Sequence, residues 1–321
     1  MDITNINDIL TMPLGELVLT ANRIRRDESG NEIEACSIIN AKSGSCSEDC
    51  KFCAQSARYK VDIKRYPLVD ERAIIKAAKK ARANGAKRFG IVTSGRGLSA
   101  EEIETIAQAV KGIRENTDIL PCASLGSINE KSLSILKESG LIRYHHNLET
   151  SERFYPTIVS THSYGERVRT VKLAKSVGLE VCSGGIFGIG EAWQDRMDLA
   201  CLLKELKVDG VPLNFFIPIK NKIRRNRFRT PGVGTAPPGC GSDYFSPVDA
   251  VRITASFRII LENADIKIVA GRESVLKDFQ ALLYMAGANG MMIGGYLTKE
   301  GRSLDEDLAL INHVRELWNE R

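Results

Sequence analysis

The 321-residue sequence predicts a single (β/α)8 barrel of the TIM type, and three observations support that fold class. An amphipathic helix, a glycine and a short apolar strand recur as one unit, for example in KKARANGAKRFGIV and AKSVGLEVCSGGI. Strand candidates alternate with segments of helix length, which is typical of a parallel sheet with right-handed crossovers. Eight such repeats over this length suit a closed barrel better than a doubly wound sheet. We therefore expect the active site at the carboxyl ends of the strands.

The individual strands and helices are marked by their end residues. Gly85, Gly140 and Gly178 each sit where a helix would end on a left-handed residue before an apolar run. Ser99 and Glu102 form a capping-box pattern that predicts the start of one intervening helix. The strands are expected near residues 35–40, 88–93, 119–124, 141–147, 179–184, 209–216, 266–270 and 290–294.

The chain is expected to form one domain over residues 1–321, with a helical extension at residues 1–30. Residues 220–246 interrupt the alternation of strands and helices, because proline and glycine are too frequent there for regular structure. A loop of this size inside a compact domain is usually functional or disordered. It follows the sixth predicted strand and so lies on the predicted active face.

Composition excludes several classes of protein. No charged leader with an apolar stretch and no apolar run near eighteen residues is found, so secretion and membrane spanning are not expected. Eight cysteines in a chain of this kind predict reduced thiols that bind metal in the cytoplasm, not a disulfide framework. The net charge is +5, and residues 220–229 hold six basic residues. That segment suits a solvated loop or an acidic electron-transfer partner, whereas no feature indicates nucleic acid.

Three cysteines, Cys46, Cys50 and Cys53, follow the first predicted strand with the spacing C-x3-C-x2-C. A structural zinc site normally needs a fourth Cys or His close by, and the next histidine is His145. A four-iron cluster accepts three thiolates and leaves its fourth iron open to a small molecule. The spacing favours a [4Fe–4S] cluster, with zinc or a regulatory thiol group as the alternative.

The C-x3-C-x2-C motif, with Phe52 before its last cysteine, resembles the signature of radical S-adenosylmethionine enzymes. Nearly the whole chain further resembles the biotin synthase family. The segments that carry this resemblance, in chain order, are SIINAKSGSCSEDCKFCAQSARYK, YHHNLETS, VCSGGIFGIGE, VPLNFFIPIK, AGRE and MAGAN. The resemblance implies an oxygen-sensitive sulfurtransferase that cleaves S-adenosylmethionine to a 5′-deoxyadenosyl radical and inserts sulfur into dethiobiotin.

The resemblance also implies roles for individual residues. Cys46, Cys50 and Cys53 match the ligands of the cluster that binds S-adenosylmethionine. Asn147 and Glu149 match positions that hold the ribose of that cofactor, and amide and carboxylate groups can bond vicinal hydroxyls. Arg167 matches the partner of the cofactor's carboxylate, and Ile186 matches a backbone position beside adenine. Asn214, together with Asn147, matches the residues that bind the ureido ring of dethiobiotin.

A second cluster, the family's sulfur donor, is where the sequence departs from the pattern. Cys122 and Cys182 match two of its three cysteines, but Gly90 replaces the third and Lys267 replaces the ligating arginine. Either this auxiliary cluster is lost, or it is a different and larger cluster than [2Fe–2S] with replacement ligands. We favour the latter, with Cys240 as the third ligand. The remaining cysteines, Cys36 and Cys201, are expected to be small buried apolar residues.

Two other functions stay open on sequence alone. One is a related radical enzyme without sulfur insertion, similar to methylornithine synthase or the maturase of iron-only hydrogenase. The other is an iron–sulfur or sulfur carrier without turnover. The family resemblance implies a flavodoxin- or ferredoxin-type electron donor, the iron–sulfur assembly machinery as a partner, and a homodimer.

Overall fold

The computed structural model describes residues 6–218, 245–297 and 301–319. Most of the predicted loop at 220–246, with its basic segment and Cys240, lies outside these residues. Within the described ranges no helix is both long enough and apolar enough to cross a bilayer.

In the described part of the chain, nine strands form one parallel sheet that closes into a barrel, as predicted. Their order is β5-β4-β3-β2-β1-β9-β8-β7-β6, and β5 also pairs with β7, which closes the ring. The strands are β1 (Glu34–Lys42), β2 (Arg88–Thr93), β3 (Leu120–Ser124), β4 (Arg143–His145), β5 (Glu180–Cys182), β6 (Gly185–Phe187), β7 (Gly210–Phe215), β8 (Asp265–Ile268) and β9 (Gly290–Met292).

The strand expected at 179–184 corresponds to β5; β6 follows it, and the two together occupy one of the eight barrel positions. The division between β5 and β6 falls at Gly184 and Gly185, where neighbouring backbones approach very closely. A Cβ on Gly184 would lie 2.1 Å from the carbonyl oxygen of Pro212, and one on Gly185 would lie 2.6 Å from that of Glu149. Only glycine allows this approach, so the paired glycines draw the ends of β4 and β7 together.

Helices cover the outside of the barrel. The capping box of Ser99 and Glu102 is present, and Gly85, Gly140 and Gly178 have positive φ, as predicted. The helices are α1 (Ile6–Thr11), α2 (Leu14–Ser29), α3 (Glu71–Ala83), α4 (Ala100–Asn116), α5 (Glu130–Glu138), α6 (Tyr164–Ser176), α7 (Trp193–Glu205), α8 (Pro247–Ile260), α9 (Arg272–Leu276), α10 (Ala281–Met285) and α11 (Leu304–Asn319).

Side chains alternate along each strand between the helices and the lumen of the barrel. The helix-facing positions are apolar and fully buried, for example Ile91, Tyr144 and Val181, each at 0% exposure. The lumen-facing positions carry most of the charged, thiol and amide groups of the strands. The main apolar core therefore lies between the sheet and the helices, whereas the lumen is lined by polar and thiol groups.

A buried ion pair joins α9 to α11 beside the carboxyl end of β8. Arg272 Nη2 lies 2.6 Å from Asp307 Oδ1, and both side chains are 1% exposed. Arg272 also donates to the carbonyl oxygen of Met292 and to Gln280. We expect Arg272→Met to lower the free energy of unfolding by about 3–5 kcal/mol, because Asp307 is left buried without its cation.

Urea unfolding of the purified chain measures this effect. Arg302→Met is the control, because Arg302 pairs with Glu306 at the surface, where an ion pair contributes at most about 0.5 kcal/mol. Equal midpoints for the two variants would show that the buried pair does not stabilise the fold.

Candidate active site

The three motif cysteines lie on a loop that leaves β1 at its carboxyl end. Gly44 and Ser45 have φ values of +75° and +55°, which turn the chain sharply over the barrel. The side-chain oxygen of Gln55 fixes the turn, because it accepts from the Gly44 backbone N–H at 2.6 Å and from the Ser43 hydroxyl at 3.1 Å. Sequence reasoning missed this role of Gln55, which follows Cys53 by only two residues.

The cysteine loop is also tied to the segment that follows β4. The Asp49 carboxylate accepts from the backbone N–H groups of Ser160 and Thr161, at 2.9 and 3.2 Å. The Lys51 N–H donates to the Ile158 carbonyl at 3.0 Å. These bonds hold the loop against the residues that connect β4 to α6, where the predicted cofactor residues lie.

Asn147, Glu149 and Arg167 form one connected group beside the cysteine loop. The Arg167 guanidinium donates to the Asn147 carbonyl at 2.7 Å, and its Nη1 lies 3.7 Å from Glu149 Oε1. The Asn147 amide donates to Glu149 Oε2 at 3.3 Å. Tyr155, which sequence reasoning did not identify, accepts from Arg167 Nε at 2.7 Å. The sequence-predicted residues from β4 and α6 are therefore brought together.

Glu149 has a left-handed backbone with φ of +74°, which is uncommon for a residue other than glycine. Its side chain is 9% exposed, and burial raises the pKa of its carboxyl group, although Arg167 acts in the opposite direction. Backbone strain combined with a buried carboxylate is frequent at ligand-binding sites. Burial likewise raises the pKa of the Cys50 thiol to about 12, with Arg167 and Glu149 among the groups that act on it.

Ile186 and Asn214 lie side by side at the ends of β6 and β7, where they are paired in register. The Ile186 N–H donates to the Glu149 carbonyl at 2.9 Å, which links it to the cofactor residues. The Asn214 side chain donates to the Gly185 carbonyl at 3.2 Å. The Asn147 side-chain oxygen accepts from the Gly184 N–H at 3.1 Å, so both asparagines border the glycine pair.

The residues present fit an iron–sulfur cluster. Three thiols on one loop, beside an arginine and an amide–carboxylate pair, are a donor set suited to a cluster with a polar ligand at its open iron. Among the described residues, no three Cys, His, Asp or Glu side chains are grouped in the way a single metal ion requires.

Deeper in the lumen, Cys122 on β3 and Cys182 on β5 face the barrel axis with Lys267 on β8. Burial raises the pKa of the Cys122 thiol to about 12, although Arg88 and Lys267 act against that rise. Lys267 replaces the expected arginine and forms an ion pair with Glu34. Cys240 lies outside the described residues.

The expectation that Cys36 packs as a buried apolar residue is wrong. Its side chain is partly exposed on the lumen side of β1, with Sγ 3.4 Å from Lys267 Nζ and 3.8 Å from Glu34 Oε1. It interacts electrostatically with both Cys122 and Cys182. The apolar segment ACSII concealed this, because both faces of β1 carry apolar residues.

Five charged residues fill the lumen beneath the thiols, and none was identified from the sequence. Arg88 Nε lies 2.9 Å from Glu34 Oε2, and Arg143 Nε lies 2.8 Å from Glu180 Oε2. Arg143 Nη2 also lies 3.2 Å from Asp265 Oδ2. The available signal was the occurrence of arginine inside the apolar strands RFGIVT and IRYHH. We call this group the ion layer; it consists of Glu34, Arg88, Arg143, Glu180 and Asp265.

Sequence comparison gives two families over successive parts of the chain. The Radical SAM superfamily matches residues 42–203, and the Biotin and Thiamin Synthesis associated domain matches residues 212–314. A biotin synthase from Thermotoga petrophila is 50% identical over 313 residues, covering 97% of this chain and 98% of that protein. A biotin synthase from Thermotoga neapolitana is 51% identical over 288 residues, covering 89% and 98%.

Structural comparison gives the same fold at much lower identity. A crystal structure of methylornithine synthase has a TM-score of 0.76 at 18% identity, covering 96% of this chain and 90% of that one. The FeFe-hydrogenase maturase from Carboxydothermus hydrogenoformans has a TM-score of 0.77 at 16% identity, covering 95% and 72%. These similarities establish the barrel fold and nothing further about activity.

Proposed function

The chain belongs to the biotin synthase family of radical S-adenosylmethionine enzymes, and from that membership we propose how its residues carry out sulfur insertion into dethiobiotin. The observation that carries the proposal is the convergence of the cysteine loop with the group formed by Asn147, Glu149 and Arg167. Cys50 is close enough to Arg167 and Glu149 for both to act on its thiol. A cofactor bound to an open iron at the loop would meet these groups directly.

Cys46, Cys50 and Cys53 would hold the [4Fe–4S] cluster, which would supply the single electron for reductive cleavage of S-adenosylmethionine. Arg167 pairs with the carboxylate of the cofactor, for which a planar and permanently charged guanidinium is suited. Asn147 and Glu149 bind the ribose hydroxyls, and the backbone near Ile186 lies against adenine. The reaction would also require the lumen to exclude water from the reacting atoms.

Asn214 and Asn147 bind the ureido ring of dethiobiotin. A primary amide offers a donor and an acceptor, which complement the carbonyl and N–H groups of a urea. Both side chains border the glycine pair, so they fix the substrate close to the cofactor residues and bring its C–H bonds within reach.

Product analysis of the anaerobically reconstituted chain with dithionite, S-adenosylmethionine and dethiobiotin tests the proposal. We expect both 5′-deoxyadenosine and biotin. Deoxyadenosine without biotin would favour a radical enzyme that does not insert sulfur, and the absence of both would favour a carrier.

We expect Asn214→Ala to lower kcat/KM for dethiobiotin by about 10- to 100-fold, because one or two hydrogen bonds to a buried polar substrate are lost. Deoxyadenosine formation should continue and become uncoupled from biotin, since the cofactor residues are intact. Asn116→Ala, at the exposed end of α4, is the control. A variant with normal biotin yield would remove Asn214 from the substrate site.

The remaining features of the proposal are less local. We propose one barrel domain over the chain, because the first family match ends within α7 and the second begins within β7, a strand of the same closed sheet. We place the reaction in the reducing cytoplasm, where free thiols persist. An acidic flavodoxin- or ferredoxin-type donor would complement the net charge of +5. Dimerisation, and delivery of iron and sulfide by assembly proteins, stay predictions from the family.

A further inference from the structure

We propose that Cys36, Cys122 and Cys182 are the thiolate ligands of the second iron–sulfur cluster, and that Lys267 donates a hydrogen bond to it. The inference deepens the proposed function and rests on it, because the second cluster is the sulfur source of that reaction. It replaces Cys240 as the third ligand with a residue on the first strand of the barrel.

These four residues form one ring around the barrel axis, which we call the thiol layer. In an eight-stranded barrel, the four side chains of one layer come from alternate strands. Cys36, Cys122, Cys182 and Lys267 lie on the first, third, fifth and seventh strand positions, since β5 and β6 share one position.

The strand register places the four residues at the same level. Cys36 is paired with Arg88, and Cys122 with Gly90, so the step from one to the other crosses β2 and rises two residues. The step from Cys122 to Cys182 crosses β4 in the same way, from Arg143 to His145. The two steps through Lys267 repeat this offset across β7 and β9. This regular rise is the register of a barrel with a shear of about 8.

The same register explains how a cysteine on β1 compensates for Gly90. Gly90 faces the lumen one level above the thiol layer, beside Ile38, and a Cβ there would lie 3.1 Å from Ile38 Cγ2. A thiol at position 36 instead lies level with Cys122 and Cys182. Compared with the family pattern, the third cysteine ligand therefore lies on β1 instead of β2, and one layer lower in the barrel.

Charges around the thiol layer suit an anionic cluster. Each thiol has at least one nearby cation whose charge favours the thiolate. This cation is Lys267 for Cys36 and Arg88 for Cys122, and Cys182 has both Lys267 and Arg143. Arg143 Nη1 is buried and makes no hydrogen bond within the described part of the chain. An anion above the ion layer would supply the missing acceptor.

Glycines on the adjoining strands provide the space for these cations. A Cβ on Gly290 would lie 2.7 Å from Lys267 Cγ. A Cβ on Gly210 would lie 2.9 Å from Arg143 Nη1 and 3.4 Å from Cys182 Sγ. Lys267 pairs with Glu34 and is therefore charged, so it can donate to a cluster sulfur but cannot ligate iron through a free amine.

The test isolates the second cluster by removing the first. In the full chain carrying Cys46→Ala, Cys50→Ala and Cys53→Ala, iron and sulfide that remain after anaerobic reconstitution report the second cluster directly. Cys36→Ser, Cys240→Ser and the helix control Cys201→Ser are then introduced one at a time. Iron, sulfide and Mössbauer spectra are measured, with circular dichroism to verify that each variant folds.

We expect Cys36→Ser to lose the residual cluster or to change its Mössbauer parameters, and Cys240→Ser and Cys201→Ser to retain it unchanged. Retention of an unchanged cluster in Cys36→Ser would overturn the proposal, as would its loss in Cys240→Ser alone. If Cys36→Ser does not fold, two further variants in the same background test the assignment. Cys36→Ala should lose the cluster, and Lys267→Met should change its Mössbauer spectrum, because an adjacent hydrogen-bond donor alters that spectrum. An unchanged Lys267→Met spectrum would then overturn the proposal.

Failure of the proposed function has a separate signature. Iron content does not depend on substrate, so the ligand test can succeed even when the reaction fails. If the second cluster requires Cys36 but the parent chain forms no biotin, only the proposed reaction is refuted. Biotin formation with an unaltered second cluster in Cys36→Ser would refute only the ligand assignment.

Discussion

Cys50→Ala is expected to abolish formation of 5′-deoxyadenosine, with a fall of at least about 100-fold from the parent rate. Cys50 is the most buried of the three motif cysteines, at 8% exposure, and Arg167 is among the charged groups near its thiol. A [4Fe–4S] cluster that three cysteines hold has one iron without a protein ligand, where the cofactor binds. Without Cys50 a second iron has no protein ligand, so the cluster is not held in the form that binds the cofactor. Chromatographic assay of deoxyadenosine after reduction with dithionite measures the effect.

Cys201→Ala is the matched control, because Cys201 lies on α7, away from the lumen, and should retain the parent rate. Iron content must fall by one cluster in Cys50→Ala and stay constant in the control. Undiminished deoxyadenosine in Cys50→Ala would remove the cysteine loop from the radical chemistry altogether.

Arg167→Met is expected to weaken binding of S-adenosylmethionine by about 10- to 100-fold, because a hydrogen bond between charged groups contributes about 1.5–3 kcal/mol. The substitution also leaves Glu149 buried without its cationic neighbour, so a lower unfolding midpoint should accompany the lost affinity. Anaerobic calorimetry of cofactor binding and urea unfolding measure the two effects.

Arg169→Met provides the comparison, since Arg169 is exposed on the same helix two residues further along. Arg167→Lys separates the contributions: it restores charge but not the fork of donors, and should recover stability more fully than affinity. Unaltered cofactor affinity in Arg167→Met would assign Arg167 to the fold alone.

The barrel could be predicted from sequence because its signals are local. Gly85, Gly140 and Gly178 end helices by a backbone conformation that other residues rarely adopt. Strand β6 was not foreseen, since the expected strand ended at residue 184, within the glycine pair of EVCSGGIF. It depends on how closely the Pro212 backbone approaches Gly184, and that contact is long-range.

The grouping of Asn147, Glu149 and Arg167 was predictable because motif and barrel topology bring strand ends together. The thiol and ion layers were not, because layer membership depends on the register of all eight strand positions. Cys36 looked apolar from its neighbours in sequence, whereas its neighbours in space are Lys267 and Glu34. The ion pairs of Arg88 and Arg143 likewise could not be predicted, because only the closed sheet places their carboxylate partners opposite them.

The ion layer also lies between the thiols and the amino-terminal end of the barrel. Arg88 and Arg143 are 8% and 4% exposed, and both are paired with carboxylates there. A chelator or oxygen molecule that approaches the sulfur atoms from that end would meet these ion pairs, whereas the opposite mouth is bordered by Asn147 and Asn214. In the proposed substrate complex dethiobiotin would lie at that mouth, so the sulfur atoms would be least accessible while the substrate is bound.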